Sequence, residues 1–273
     1  MLGEERRADS SAGPVLAARG LSKNYGAIEA CIAVSIEIIP GKLTALVGDN
    51  GAGKSTVAKI LTGAVAPDAG EVFVDGRAVV FSDPLAARVA GIEAVYQDLA
   101  LPPNLDILSN IFLGREIVRP LFGRLPIPVK VLDTRKMLDR AEPQLEELRI
   151  RLPQLRGLPI SSLSGGQRQT VAIARAALWS SKVLVMDEPT AALGVSQARA
   201  VLEVIKEVLA RGVAVLMISH ALPHVIELAD QVVVMRHGRR VASFERGRFD
   251  SAEIIRHIIG ESAPVAAGSG APS

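Results

Sequence analysis

Nine residues, Gly48-Asp49-Asn50-Gly51-Ala52-Gly53-Lys54-Ser55-Thr56, join an apolar run, Leu43 to Val47, to a segment of helical character from Lys54 to about Leu61. A buried strand must deliver such a loop to a sheet edge, and a helix must start inside it. Glycines let the backbone take positive-φ turns and approach a ligand closely. Successive amide N–H groups then form an anion nest, reinforced by the positive end of the helix dipole. In this context GxxxxGK[ST] predicts a phosphate-binding loop, with Lys54 over the β- and γ-phosphates and the Ser55 hydroxyl on Mg²⁺. A chance Gly-rich turn accounts for the glycines but not for strand, spacing and Gly-Lys-Ser together.

The 273 residues suit one large domain or two small ones. Nearly half are apolar and few are aromatic, so the core should be aliphatic. A net charge of +2 is too small to argue for nucleic acid, and none is expected as a partner. The basic cluster His237-Gly238-Arg239-Arg240 reads as a solvated hairpin turn rather than a binding patch. The single cysteine, Cys31, excludes an intrachain disulfide, suits a reducing compartment and reads as a small core or near-surface residue. No His or Lys in view would activate it as a nucleophile. The first fourteen residues are charged and small, without the apolar stretch of a secretory signal. The richest apolar stretch, Val201 to Ile218, is interrupted by Glu203, Lys206, Glu207 and Arg211, too polar to span a membrane. Mean hydropathy is nonetheless positive, as in a protein that buries surface against partners.

Residues 1–14 read as a flexible leader and 262–273, rich in Ala, Gly, Pro and Ser, as a disordered tail. Strands are expected at Val15–Arg19, Ile32–Ile38, Leu43–Val47, Glu71–Val74 and Ile92–Tyr96, with a hairpin signal at Asp75-Gly76. A short helix is expected at 84–90. From Gln97 the texture changes. Pro102, Pro103, Pro120, Pro126 and Pro128 surround a short apolar helix near Ile107–Leu113. Asp133 or Thr134 then caps an amphipathic helix to about Leu148. This section is poor in strand signals and reads as a helical insertion. The α/β alternation returns with strands at 182–188 and 213–218, helices at 195–210 and to about Leu228, a hairpin around 237–239, and a closing helix at 251–260.

The strand Val183–Asp187 delivers Asp187 to the edge where Mg²⁺ would lie. Glu188, one residue on, has the reach to orient and partly deprotonate water for attack on the γ-phosphorus. The alternative, two acids satisfying a turn at a strand end, weakens once a phosphate loop is present. His220 follows the next strand and could contact the γ-phosphate and Glu188; alone it would read as a structural residue. Gln97 ends another strand at the same edge, in reach of Mg²⁺ or water and at the join to the helical section. Tyr25, read alone, packs on its own sheet rather than stacking on an adenine. Ser164-Gly165-Gly166-Gln167 forms a second anion nest at a helix start. One chain does not need two cradles for one ATP, so a head-to-tail dimer closing on ATP is the economical solution. A Ser-capped helix would explain the serine, but not two glycines and a glutamine.

These motifs resemble, over about residues 15–261, the ATP-binding subunits of ABC transporters. Gly48 to Thr56 looks like Walker A, Val183 to Glu188 Walker B, Leu163 to Gln167 the signature, Gln97 the Q-loop and His220 the H-loop. Tyr25 takes the place of the adenine-stacking aromatic, which reverses its solitary reading. Residues 95–101, Asn104-Leu105-Asp106, 110–116, Glu188-Pro189-Thr190-Ala191-Ala192-Leu193-Gly194 and 219–225 are similar to carbohydrate importers of the ribose/xylose/fructose type. Gly194 departs from the family's usual Asp.

The resemblance implies a P-loop α/β core with an N-terminal antiparallel β-subdomain and an α-helical subdomain, about residues 98–178. It implies ATP and Mg²⁺ as cofactors, with Ser55, Gln97 and Asp187 at the metal. The partners it implies are a second copy of this chain, an integral membrane permease and, indirectly, a sugar-binding protein. The location would be peripheral, on the cytoplasmic face of the inner membrane. Rival readings are an importer for a non-sugar solute and a soluble ABC ATPase outside transport. A P-loop kinase would leave Leu163–Gln167 without purpose.

Overall fold

A computed structural model of the chain describes residues 13–121, 129–191 and 193–261. The leader expected at 1–14, apart from residues 13 and 14, lies outside the described residues, as do the tail at 262–273 and Pro126 and Pro128.

The N-terminal strands β1 (Leu16–Tyr25) and β2 (Ile28–Ile38) pair as an antiparallel hairpin, longer than the alternation predicts. Register shifts between Ala18 and Leu21 and between Leu21 and Asn24 break the period of two, which hides the continuation from a pattern reading. Tyr25 therefore ends a strand at a hairpin tip, opposite Ile28, instead of sitting in a loop between distant strands. After β3 (Leu43–Gly48) and α1 (Lys54–Leu61), β4 (Ala69–Val74) and β5 (Arg77–Val79) complete a four-stranded sheet in the order β2-β1-β4-β5. The turn between β4 and β5 is Asp75-Gly76, both at positive φ, as the hairpin signal requires. Helix α2 (Pro84–Val89) is capped by Asp83, whose side chain accepts from the Ala86 amide. It leads to β6 (Ile92–Val95).

The segment after β6 holds α3 (Ile107–Ile111), a small antiparallel hairpin of β7 (Val118–Pro120) and β8 (Lys130–Leu132), α4 (Thr134–Glu147) and α5 (Gly165–Trp179). The hairpin corrects the expectation of a purely helical section. Val118 and Leu132 are exposed, so no buried face imposes an alternation that could be read. Asp133 caps α4 by accepting from Lys136 N at 3.2 Å. Phe112 stands edge-on to Trp179 at 5.4 Å, and Trp179 Nε1 donates to the Ile111 carbonyl at 2.9 Å, joining α3 to the end of α5.

The chain closes with β9 (Val183–Asp187), α6 (Val195–Ala210), β10 (Ala214–Ile218), α7 (Leu222–Leu228), β11 (Gln231–Arg236), β12 (Arg239–Glu245) and α8 (Ser251–Ile259). Strands β3, β6 and β9 to β12 form the main sheet, in the order β12-β11-β3-β10-β9-β6, parallel except for the edge strand β12. Alternate residues feed two cores. Leu43, Ala45, Val47, Leu184, Met186, Val215 and Met217 face α3 to α8. Leu46, Val183, Val185, Leu216 and Ile218 face α1 and the antiparallel sheet. Burial on both faces explains why these strands read as unbroken apolar runs. Cys31 lies in the second core, and burial pushes its thiol pKa up, as a packed rather than reactive residue requires. Among the described residues no helix is long and apolar enough to cross a membrane.

Candidate functional site

The parallel register sets three strand ends level, since Ile218 at the end of β10 stands opposite Leu46 on one side and Asp187 on the other. Gly48 to Thr56 leaves β3 at this edge. Gly48 has φ 147°, and a Cβ there would fall 2.1 Å from the Met235 carbonyl oxygen. Gly53 has φ 95° and would place a Cβ 2.2 Å from the Ala30 carbonyl oxygen. Only glycine fits either position, because both the dihedral and the neighbouring backbone exclude a side chain.

A cleft of about 330 Å³ is lined by Asn50 to Thr56, Tyr25, Gln97, Asp187 and Glu188. These residues, far apart in sequence, are brought together. Gly48 and Asp49 do not line the cleft, but both their carbonyls accept from Lys54 Nζ, which does, at 2.8 Å. Burial pushes the Lys54 pKa down, while Glu188, Asp187 and Asp49 oppose that shift. Tyr25, 45% exposed, borders the cleft rather than packing under its sheet, so its solitary reading is corrected. Ile28, Ala30 and Ile218 also line the cleft and were not singled out from the sequence. Ile28 and Ala30 share a face of β2, a signal visible only once that strand is known to begin at residue 28.

Asp187 is buried, and burial pushes its pKa up, with the Ser55 hydroxyl hydrogen bond acting the other way. The folded state thus holds this proton more tightly than the unfolded chain. The stability this gives is complete at acid pH and is lost as pH rises through the raised pKa. Asp187→Asn is therefore expected to raise the melting temperature of the nucleotide-free protein at neutral pH, measured by calorimetry. A lower melting temperature would mean that attraction to Lys54 and Lys59 outweighs burial.

Glu188 has φ 54°, an uncommon backbone for a residue with a side chain. Its amide donates to the Ile218 carbonyl at 2.9 Å. Its carboxylate accepts from His220 Nδ1 at 2.9 Å and from the His220 amide at 3.4 Å. His220, outside the cleft lining itself, is thus joined to Glu188.

The signature residues lie elsewhere, and none lines the cleft. Ser164 caps α5 in a reciprocal capping box, Ser164 N donating to Gln167 Oε1 at 2.9 Å and Gln167 N to Ser164 Oγ at 3.3 Å. Gly166 is buried under Gln197, whose side-chain atoms lie 2.4–2.6 Å from where a Cβ would be. Helix capping and close packing therefore explain more of this motif than the serine alone, correcting the sequence argument. Gly165 stays exposed with open space around it. Gly194 precedes α6 with φ −66°, and its amide donates to Gln197 Oε1 at 3.2 Å, so Gln197 reaches back to cap the helix start where no side chain can. A wider cleft of about 930 Å³, between α4 and residues 149–156, holds none of the sequence-derived site residues.

The donor set fits Mg²⁺ with a nucleotide polyphosphate. Ser55 and Asp187 offer hard oxygens, too few for an all-protein cage but suited to a metal that keeps water and phosphate ligands.

The ABC transporter family model matches residues 32–191. The chain is 45% identical to the fructose import ATP-binding protein FrcA of Rhizobium meliloti, over 92% of this chain and 96% of that one. It is 44% identical to the xylose/arabinose import ATP-binding protein XylG of Sulfolobus acidocaldarius, over 82% and 86%. Among solved structures, the ADP conformation of an ATP-binding cassette of an ABC transporter superposes with a TM-score of 0.72 at 28% identity, covering 91% of this chain and 96% of that one.

Proposed function

Since the chain belongs to the ABC transporter family of ATP-binding proteins, we propose that it is the ATP-hydrolysing subunit of a monosaccharide importer, closing as a homodimer on ATP to drive a membrane permease. The observation that carries the hydrolytic reading is the grouping of Lys54, Ser55, Asp187 and Glu188 at one sheet edge, with His220 bonded to Glu188. The sugar reading rests on relatives named for fructose and xylose/arabinose import.

Tyr25 and Ile28 offer a flat, partly apolar wall for the adenine. The amides of Asn50 to Thr56 and the Lys54 ammonium hold the phosphates. Ser55, Asp187 and Gln97 would hold Mg²⁺, which would supply neutralisation of the phosphate charge. Glu188 accepts a hydrogen bond from the attacking water and aligns it with the γ-phosphorus, and His220 fixes the carboxylate's orientation. Ser164, Gly165 and Gln167 are exposed and outside the chain's own cleft, which favours their use on the ATP of a second copy.

The permease contact is assigned to a cleft of about 340 Å³ lined by Arg88, Glu93, Arg115, Arg175 and Trp179. Arg175 donates to the Leu99 and Ala100 carbonyls at 2.9 and 3.0 Å, just downstream of Gln97. A shift of Gln97 on nucleotide binding would reach this cleft through those bonds. The subunit would sit peripherally on the cytoplasmic face of the membrane, with a sugar-binding protein acting through the permease.

The test is ATP hydrolysis by the complex reconstituted with its permease and binding protein, across a panel of pentoses and hexoses. Stimulation by one sugar, absent in Glu188→Gln, is the expected result. Hydrolysis indifferent to every sugar would move the cargo to another class of solute.

A further inference from the structure

The φ of 54° at Glu188 is strained for a residue with a side chain and persists only where neighbours over-determine it. The next two residues are tied to two different helices. Gln169 Nε2, on α5, donates to the carbonyl of buried Pro189 at 3.1 Å. Thr190 Oγ1 shares a hydrogen bond of 3.1 Å with His224 Nδ1, on α7. At the far end of the same loop, Gln197 packs against Gly166 of α5 and accepts from Gly194 N. The loop that begins at Glu188 is thus fastened to the signature helix near both of its ends.

Helix α5 starts at the signature and runs 15 residues. Gln169 lies five residues after Ser164, about 7.5 Å along the axis at 1.5 Å per residue. Over that length a packed helix moves as a unit, since close-packed interiors transmit displacement rather than absorb it. A shift of the Ser164–Gln167 end therefore pulls or pushes the Pro189 carbonyl, and with it the backbone that aims Glu188.

We propose that Gln169 is a positioning residue, which passes engagement of this chain's signature by the partner's ATP to Glu188, so that each chain hydrolyses its own ATP only when its signature is occupied. The inference rests on the reading of Glu188 and of the signature given above. It adds a route from one nucleotide to the other through a single side chain.

Gln169→Met keeps the length and approximate volume of the side chain and removes the donor. In the full chain, kcat for ATP hydrolysis is expected to fall about 10- to 100-fold, the loss brought by misplacing a reacting group by ~1 Å. KM for ATP should stay within about twofold. The Glu188→Gln/Gln169→Met double variant should still form the ATP-dependent dimer in sedimentation. An unchanged kcat overturns the inference. So does a loss of kcat accompanied by a raised KM and no dimer, because Gln169 would then be a strut of the binding site. Should Gln169→Met fail to fold, Gln169→Asn, whose amide stops one methylene short, carries the same expectation and the same overturning results. Glu188→Gln alone separates the two layers. Parental turnover in that variant defeats the reading of Glu188 and the inference with it. An inert Glu188→Gln beside a fully active Gln169→Met defeats the inference only.

Discussion

Glu188→Gln is expected to lower kcat for ATP hydrolysis by about 10²–10⁴-fold, the range that a positioned general base contributes, while ATP binding survives. The amide keeps the side chain's shape and can still accept from His220, which now bonds the carboxylate at 2.9 Å through Nδ1. It cannot take a proton from water. It also removes a negative charge from the cleft, one of those that oppose the downward shift of the Lys54 pKa, so the phosphates meet less repulsion. Hydrolysis is lost and binding is not, and the ATP-bound state accumulates. Equilibrium sedimentation of the variant with Mg²⁺ and ATP should show a dimer. A strict monomer at high protein concentration would defeat the homodimer reading, and turnover at the parental rate would defeat the role of Glu188.

Lys54→Met should be nearly as damaging, at an earlier step. Lys54 is 8% exposed, and its ammonium bonds the Gly48 and Asp49 carbonyls at 2.8 Å. It stands in a cleft that also contains Asp187 and Glu188. Without it, the phosphates of ATP would face two carboxylates with one fewer compensating charge. Truncating one partner of a desolvated, charge-assisted pair costs about 2–5 kcal/mol, roughly 30- to 4,000-fold in affinity. Titration with a fluorescent ATP analogue should show that loss, and hydrolysis should fall with it. Lys54→Arg is expected to fail as well, because a planar guanidinium cannot replace a compact ammonium between two carbonyls. Binding within a few-fold of the parent in Lys54→Met would mean that the loop amides alone hold the phosphates.

Most of the cleft was legible because its signals are local. The phosphate loop is contiguous, and Gly48 and Gly53 announce backbone that no other residue adopts there. Asp187 and Ser219-His220 sit at the ends of apolar runs that can only be buried strands. Where the signal is not local, the reading fell short. The start of β2 and the true place of Tyr25 were hidden by register shifts that cancel the alternation. The β7–β8 hairpin has no buried face to betray it. Gly166 looked unexplained because its partner, Gln197 on another helix, is evident only in three dimensions; Gln167 is different, since its partner is the Ser164 amide three residues away and the Ser-x-x-Gln spacing is a local capping-box signal.

Periodicity, glycine placement and the loop's spacing were enough to specify an α/β fold and to point to a phosphate cradle, since each depends on residues within one or two turns of chain. The strand order β12-β11-β3-β10-β9-β6 is not local, and it alone sets β3, β9 and β10 side by side. That adjacency joins Glu188 to His220 across 32 residues, and helix packing joins Pro189 to Gln169 across 20. Hydrogen bonds of this kind leave no trace in a pattern of apolar and polar residues, because a side chain's partner is chosen by how the strands and helices assemble rather than by its neighbours along the chain.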